Sequence, residues 1–449
     1  MGATARIAEF VAKSRWEDLP AAAAERAKDA ILDTIGVALA GSVEPPARIV
    51  RNLIAEEGGA PRCTLIGVPL RTGAVWAALA NGTAAHALDF DDTNFAMLGH
   101  PSAPVLSAAL AAAELVEADG RALLHAFLLG FEVETTFGEV VNPAHYEHGW
   151  HATCTLGTLG AAAAAARVLG LDAARTQMAL ALAASQASGL KENFGTMTKP
   201  FHAGHAARTG VLSALLARDG FTASEQAIEG PQGFLKVLGG GRNVAALDTL
   251  GAPWKILATG IAVKPYPCCA MTHSAIDALL ELGSQHAVRA EDVAAVEIGV
   301  APVTPGILIH PRPQNGLEAK FSMEYCAAVA LAEGRVGIGA FEDEHVQDAL
   351  LRSLMRRVRM TVDPSIGGHQ DRNAWSRVTL RLNDGRSLSR EPQGPQGHPD
   401  RPLSRDQLLK KFGDCASRVL PASRISIVSE IIQALEGCSD LKGLAAALS

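Results

Sequence analysis

The chain has 449 residues, of which 48% are apolar, 19% charged and 5% aromatic, with 40 Lys plus Arg against 47 Asp plus Glu for a net charge of −7. That length predicts two or three domains with a core large enough to need no disulfide staples. A mildly acidic, aromatic-poor chain excludes a base-stacking nucleic-acid reader, and its low charge and high apolar content exclude a disordered chain.

The N-terminal stretch MGATARIAEFVAKSRWEDLP holds no apolar core of signal type, and no run of about 18 apolar residues follows anywhere, so no membrane span and a cytoplasmic location are expected. The seven cysteines (Cys63, Cys154, Cys268, Cys269, Cys326, Cys415 and Cys438) form no CxxC pair, which predicts free thiols. Up to about residue 260 the chain is rich in Ala, Leu and Gly at helical spacing. Helices are predicted at 21–40, 105–116, 157–169 and 171–187. Pro20 and Gly41 read as start and stop signals of the first. Runs such as 161–166, six alanines, predict helices packed very close together and buried all round.

From about 262 to 396 the texture changes. Residues 293–300 (VAAVEIGV) and 377–382 (RVTLRL) read as strands. The second leads through Asn383-Asp384-Gly385 into 386–390, a hairpin signature. Helical stretches fall near 274–286 and 322–333, the Pro- and Gly-rich 391–402 reads as a linker, and 404–412 and 422–435 return to helix. The predicted fold is mainly α: a large all-helical domain (1–261), an inserted smaller α+β domain (262–396), and C-terminal helices (397–449) rejoining the first.

Four segments carry chemistry. In AHALDFDDTNFAMLGHPSAP, Asp89, Asp91 and Asp92 lie with His86 and His100 in an otherwise apolar stretch. Helix capping by Asp92 or Thr93, a divalent-cation site and a magnesium-diphosphate site are the competing readings; the last rests on a resemblance of DxDD to the aspartate-rich motif of terpenoid synthases, which lack of aromatics disfavours. In NPAHYEHGWHATC, His145, His148 and His151 recur every third residue beside Tyr146. That spacing is a poor zinc pattern, so one or two functional histidines at a helix N-terminus are expected, with His148 on the surface. In KENFGTMTKPFHAGHAAR, Lys191, Lys199, His202, His205 and Arg208 form a cationic island; Lys191 and Arg208 read as ordinary solvated charges, and Lys199, preceding Pro200, is expected in a turn. In VKPYPCCAMTH, Lys264 sits between prolines at the change of texture, where a desolvated amine can serve as a base. A GxSxG elbow and a dinucleotide fingerprint are absent, and Gly239-Gly240-Gly241-Arg242-Asn243 lacks the Lys-Ser/Thr ending of a nucleotide loop. The chemistry suggested is cofactor-free proton transfer on a small anion.

On AHALDFDDT, GHPSAPV, GWHATCTLGTLGAAAAA, NFGTMTKPFHAGHAAR, VKPYPCCAMTH, FSMEYCAA and GHPDRPLSRDQLLKKF the chain resembles the MmgE/PrpD family, which includes 2-methylcitrate dehydratase, cis-aconitate decarboxylase and iminodisuccinate epimerase. The resemblance implies a helical domain with an α+β lid, usually a homodimer, acting on a small polycarboxylate without metal or other cofactor. It implies catalytic roles for Asp89, His100, Tyr146, His151 and Lys264, and substrate-binding roles for Thr93, Lys199 and Tyr325. Tyr146 stands where the epimerase has the tyrosine that opposes the lid-junction lysine. The segments NFGTMTKP and HYEHGWH resemble the epimerase, whereas Thr93 and Tyr325 depart from it. The expected reaction is removal of a proton α to a carboxylate of a di- or tricarboxylic acid, ending in dehydration, decarboxylation or epimerisation. A non-enzymatic helical scaffold or binding protein is the competing class.

Overall fold

The structure, a computed structural model, describes residues 2–239, 244–367 and 375–449. Residues 240–243 of the glycine-rich segment set aside above lie outside the described residues. The protein is mainly α and divides into two compact units. The first comprises Met1–Glu192, Thr198–Ala262 and Ser404–Ser449; the second comprises Asn193–Met197 and Val263–Leu403.

The first unit is built on ten helices before residue 220: α1 (Ala3–Lys13), α2 (Ala21–Gly41), α3 (Pro45–Glu57), α4 (Ala74–His86), α5 (Ser102–Leu115), α6 (Gly120–Val141), α7 (Ala144–Glu147), α8 (Ala152–Val168), α9 (Ala173–Ala184) and α10 (Thr198–Arg218). Asp119 and Asp172 cap α6 and α9 by accepting the N–H groups of Ala122 and Arg175. Through α8, every residue from Ala152 to Ala166 is buried, as the alanine run predicts. With side chains no larger than a methyl group, neighbouring backbones can close in until dispersion contacts are made main chain to main chain.

One such approach joins α4 to α10. A Cβ on Gly204 would lie 2.2 Å from the Leu79 carbonyl oxygen, and one on Gly82 would lie 2.8 Å from Gly204 Cα. His86 lies one turn beyond Gly82, and Lys199 and His202 lie in the turns before Gly204, so the glycine contact brings these side chains together. Gly41 works likewise. It is the last residue of α2 rather than a stop signal, and a Cβ there would meet the Ala84 carbonyl oxygen at 2.0 Å. Lys199 corrects a second expectation. It lies in the first turn of α10, not in a free turn, because Pro200 falls where the helix has no N–H to lose.

The longest helix, α6, was not among those the sequence pattern predicted. Its apolar stripe is interrupted by His125, Glu132 and Glu134, all buried. Glu132 is satisfied by the N–H groups of Gly251 and Lys255, whereas neither carboxyl oxygen of Glu134 has a hydrogen-bond partner among the described residues. The C-terminal helices Arg405–Ala416 and Ala422–Gln433 belong to this unit. From the former, Lys411 pairs with Asp33 of α2 at 2.7 Å, donates to the Phe90 carbonyl at 2.8 Å and covers the Phe90 ring at 4.0 Å. It thereby fastens the loop that follows α4.

The second unit holds a four-stranded sheet in the order Val358–Val362, Val293–Val300, Arg377–Leu382, Ser387–Arg390, with the first pair parallel and the others antiparallel. The hairpin turns at Gly385, whose φ of +86° suits glycine. Helices His273–Gln285 and Met323–Glu333 belong to the same unit. Val358–Val362 escaped the sequence pattern because Arg359 and Thr361 leave this short edge strand mostly exposed. Among the described residues, no helix is long and apolar enough to cross a membrane.

The α4–α10 contact can be tested directly. Gly204→Ala should lower unfolding stability by on the order of 2–3 kcal/mol, since the added methyl group meets backbone that cannot rotate away. Urea unfolding of wild type and variant measures it, and coincident midpoints would contradict so close an approach.

Candidate active site

The first unit gathers most of the candidate residues around the end of α4. The helix stops at His86, and the chain reverses through Asp89, which takes the left-handed φ of +51° that Asp tolerates better than most residues. This turn aims the Asp89 carboxylate at Lys199, whose ammonium donates to Asp89 Oδ1 at 2.7 Å. The same ammonium lies 2.8 Å from His86 Nε2, and His86 Nδ1 lies 2.8 Å from Asp91 Oδ2. One assignment of protons satisfies every contact. His86 is neutral, its Nδ1–H donates to Asp91, and its Nε2 lone pair accepts from Lys199. His100 bridges the two carboxylates, with Nε2 3.4 Å from Asp89 Oδ1 and Nδ1 3.3 Å from Asp91 Oδ2. Its ring meets that of His86 edge to face at 4.4 Å.

His151 stands at the N-terminal boundary of α8 without a side-chain cap bond, and its ring stacks against that of His86 at 5.8 Å. Its Nδ1 lies 2.9 Å from Nδ1 of His202 on α10, so one of the two imidazoles donates and the other accepts. Burial is the main cause that keeps these rings neutral, and the nearby Lys199 charge adds to it. His86 is brought down to about 3 and His202 to about 4, and His151 lies well below its ordinary value. In the cationic island of the sequence, the Lys199 ammonium is therefore buried beside a His202 ring that burial keeps neutral. His205 is lowered too, again by burial first and then by Arg208. Thr93 is tied by its backbone to Ala262, and its buried hydroxyl has no hydrogen-bond partner among the described residues.

The histidines of the second segment part company. His145 is locked between the Leu238 carbonyl and the Thr155 hydroxyl, each at 2.7 Å, and burial brings it to about 4. His148 is exposed, as expected. Tyr146, on α7, is buried, with the Lys191 ammonium 3.8 Å from its ring centroid. Lys191 is thus half-buried against an aromatic face rather than an ordinary solvated charge. The residues that sequence reasoning left out of its site are His86, Asp91, Lys191 and His202. The i, i+3 spacing of Lys199 and His202 was the available signal, and it was lost when Pro200 was read as excluding helix.

The donor atoms of the aspartate-rich segment converge in space. Ligating atoms of His86, Asp89, Asp91 and His100 all lie within 4.8 Å of one another, although their sequence spacing suggests no shell. This donor set suits a divalent cation. Lys199, however, is bonded to two of the four, so a dication there would have to displace or deprotonate an ammonium already paired with its ligands.

Lys264 and Tyr325 belong to the second unit. Lys264 is buried, two residues before Tyr266, whose hydroxyl donates to Asp277 of the helix His273–Gln285 at 2.6 Å. Tyr325 is fully buried in the helix Met323–Glu333, and its hydroxyl donates to the Ala340 carbonyl. That hydroxyl is engaged by the fold of its own unit.

Comparison with known proteins matches residues 5–247 to the MmgE/PrpD N-terminal domain and residues 266–436 to the MmgE/PrpD C-terminal domain. The chain is similar to cis-aconitate decarboxylase of Aspergillus terreus, 28% identical over 472 aligned positions that cover 99% of this chain and 95% of that protein. It is equally similar to the cis-aconitate decarboxylase of Homo sapiens, 28% identical with 93% of this chain and 88% of that protein covered. The mouse cis-aconitate decarboxylase is 28% identical as well, with 92% and 87% covered.

Beneath the cluster, Asp92 accepts from the N–H and the hydroxyl of Ser102, so the aspartate loop caps α5 across ten residues of sequence. Burial raises the Asp92 carboxyl to about 8; Ser102 opposes the shift, and Asp33 and Asp91 add to it. Near neutrality Asp92 is thus a carboxylic acid, which an amide mimics, and Asp92→Asn should keep unfolding stability within about 1 kcal/mol of wild type near pH 4, where the folded carboxyl is protonated and the unfolded one still partly so. Between the ordinary carboxyl range and pH 8 the folded state holds a proton that the unfolded state has lost, so this contribution is complete at low pH and disappears as pH rises through about 8. The stability of wild type minus that of the variant should therefore fall as pH rises from about 4 to about 8, leaving the variant the more stable of the two. Urea titrations across that range measure it, and a difference that grows would mean an ionised Asp92.

Proposed function

The chain belongs to the MmgE/PrpD family, and on that premise we propose that it is a cofactor-free acid/base lyase of a small di- or tricarboxylic acid, with loss of carbon dioxide from a cis-aconitate-like acid as the leading reaction. The observation that supports it is the Lys199 ammonium, 4% exposed and bonded to Asp89 and His86. A carboxylate bound at this cation is the electron sink the reaction needs. When a neighbouring C–C bond breaks and carbon dioxide leaves, the electron pair delocalises into the retained acid as an aci-carboxylate, which a fixed cation and nearby donors stabilise. A proton delivered to carbon completes the exchange of carbon dioxide for hydrogen.

In this reading Lys199, Thr93 and Tyr325 bind substrate. His100 and His151 donate to carboxylates or carry protons, and Asp89 orients Lys199. Lys264 and Tyr146 are the acid/base groups at carbon. The division into a helical body (1–261 and 397–449) and an α+β lid (262–396), a homodimeric state and a cytoplasmic location belong to the same proposal. Epimerisation is the second reading, favoured by the tyrosine held under a cation at α7, since inversion needs acid/base groups on both faces of the carbon. The terpenoid-synthase reading is set aside with the family assignment.

Proton NMR in deuterium oxide with cis-aconitate, 2-methylcitrate and iminodisuccinate tests the proposal. Release of carbon dioxide with one deuterium incorporated at the carbon α to a retained carboxylate is expected. Elimination of water or inversion without carbon loss would move the assignment to dehydratase or epimerase, and no change in any of the three acids would favour a binding protein. Lys199→Met should cost on the order of 100-fold or more in turnover. Dialysis against a chelator should leave turnover intact; a loss restored by a divalent ion would replace the ammonium with a metal as the electron sink.

A further inference from the structure

We infer that Lys191 is a positioning residue for Tyr146, held on the face of its ring to favour the deprotonated phenol; its place in a reaction rests on the reading above that Tyr146 moves a proton. The Lys191 ammonium lies 3.8 Å from the Tyr146 ring centroid and donates to the Tyr146 carbonyl at 3.0 Å, so one cation grips both ends of the same residue. The main chain fixes the grip. Lys191 N–H donates to the Gly149 carbonyl at 2.9 Å, and Leu190 and Trp150 form an antiparallel bridge beside it. Gly149 has a φ of +103°, which permits the reversal that brings 149–150 against 190–191.

A cation over an aromatic face attracts a neutral phenol through the ring's quadrupole, and a phenolate through full charge as well. The contact therefore favours the ionised form over the neutral one. The other titratable groups at this turn are His145, held neutral near 4 by burial, and the exposed Glu147 and His148. Burial draws the Lys191 pKa down, and Glu147 opposes that shift. An amine so placed keeps its charge on the ring rather than in water.

The sequence offers a clean readout because the chain has three tyrosines. The hydroxyls of Tyr266 and Tyr325 are bonded to Asp277 and Ala340, and burial pushes both phenols far up. Tyr146 is the one with a lysine ammonium on its ring face, so its resonance is the one that reports on Lys191. With 3-fluorotyrosine incorporated, which lowers all phenols, fluorine NMR gives three resonances, and Tyr146→Phe assigns the one of interest. Lys191→Met, which keeps the stem and removes the charge, should raise the midpoint of that resonance by about one pH unit. Lys191→Arg should hold it close to wild type. An unchanged midpoint in Lys191→Met, or an equal rise in both variants, would overturn the assignment. On whichever acid is turned over, the pH dependence of turnover in unlabelled protein separates the two claims. A limb that moves with the phenol supports both. A phenol that moves without it leaves the hold of Lys191 on Tyr146 standing and removes Tyr146 from the chemistry.

Discussion

A lysine ammonium buried to 4% exposure is the constraint around which the first unit is arranged. Taking an ammonium out of water costs on the order of several kcal/mol even after relaxation, and only close partners offset it. Lys199 has Asp89 at 2.7 Å and the lone pair of His86 at 2.8 Å. The second partner works only if His86 is neutral with its other nitrogen protonated, and Asp91 secures that tautomer. The ammonium thus dictates the protonation of His86, adds to the burial that keeps His151 and His202 neutral, and requires the left-handed turn at Asp89.

These short distances depend on backbones that lie closer than ordinary side chains allow. Gly82 and Gly204 supply that approach between α4 and α10, and the alanines of α8 supply the packed wall behind α10. Such a core gains little apolar area per side chain compared with one built from Leu and Phe. It gains instead in main-chain dispersion contact and in rigidity, since alanine and glycine have no rotamers through which to yield. A site that holds charge at hydrogen-bond distance benefits from a scaffold with few ways to relax.

The helices and strands were largely legible because period and composition mark them without reference to neighbours: α2, α8, Val293–Val300 and Arg377–Leu382 lie close to where the pattern puts them. The exceptions share one cause. Glu132 and Glu134 broke the apolar pattern of α6, and Pro200 broke that of α10, yet Glu132 is satisfied by N–H groups outside its own segment and Pro200 is accommodated by its position in the first turn of the helix. In the candidate site, Asp89, His100, His151 and Lys199 were marked by their unusual chemistry in apolar surroundings. His86, Asp91 and His202 were not chosen, since their importance comes from partners 5 to 113 residues away in sequence. Lys191 looked like surface charge for the same reason: nothing local shows that a main-chain bridge folds it over Tyr146.

The buried acids bear on what such a cluster can bind. Asp33 is neutralised by Lys411, while Asp92 and Glu134 are pushed up by burial and hold protons rather than charge. None of these three then competes for Lys199. What remains is Asp89 and Asp91 against the Lys199 ammonium and the His100 ring that bridges both carboxylates, with His86, His151 and His202 neutral. A proton on His100 would bring the two carboxylates and the ammonium to charge balance. In a medium that screens charge poorly, each carboxylate added to such a cluster calls for a further positive charge. A polyanion can therefore be held here only if charge is supplied as it binds, by a proton taken up on the imidazoles or by a further cation. Charge balance in this cluster therefore turns on the imidazole in contact with both carboxylates, His100, as well as on the Lys199 ammonium.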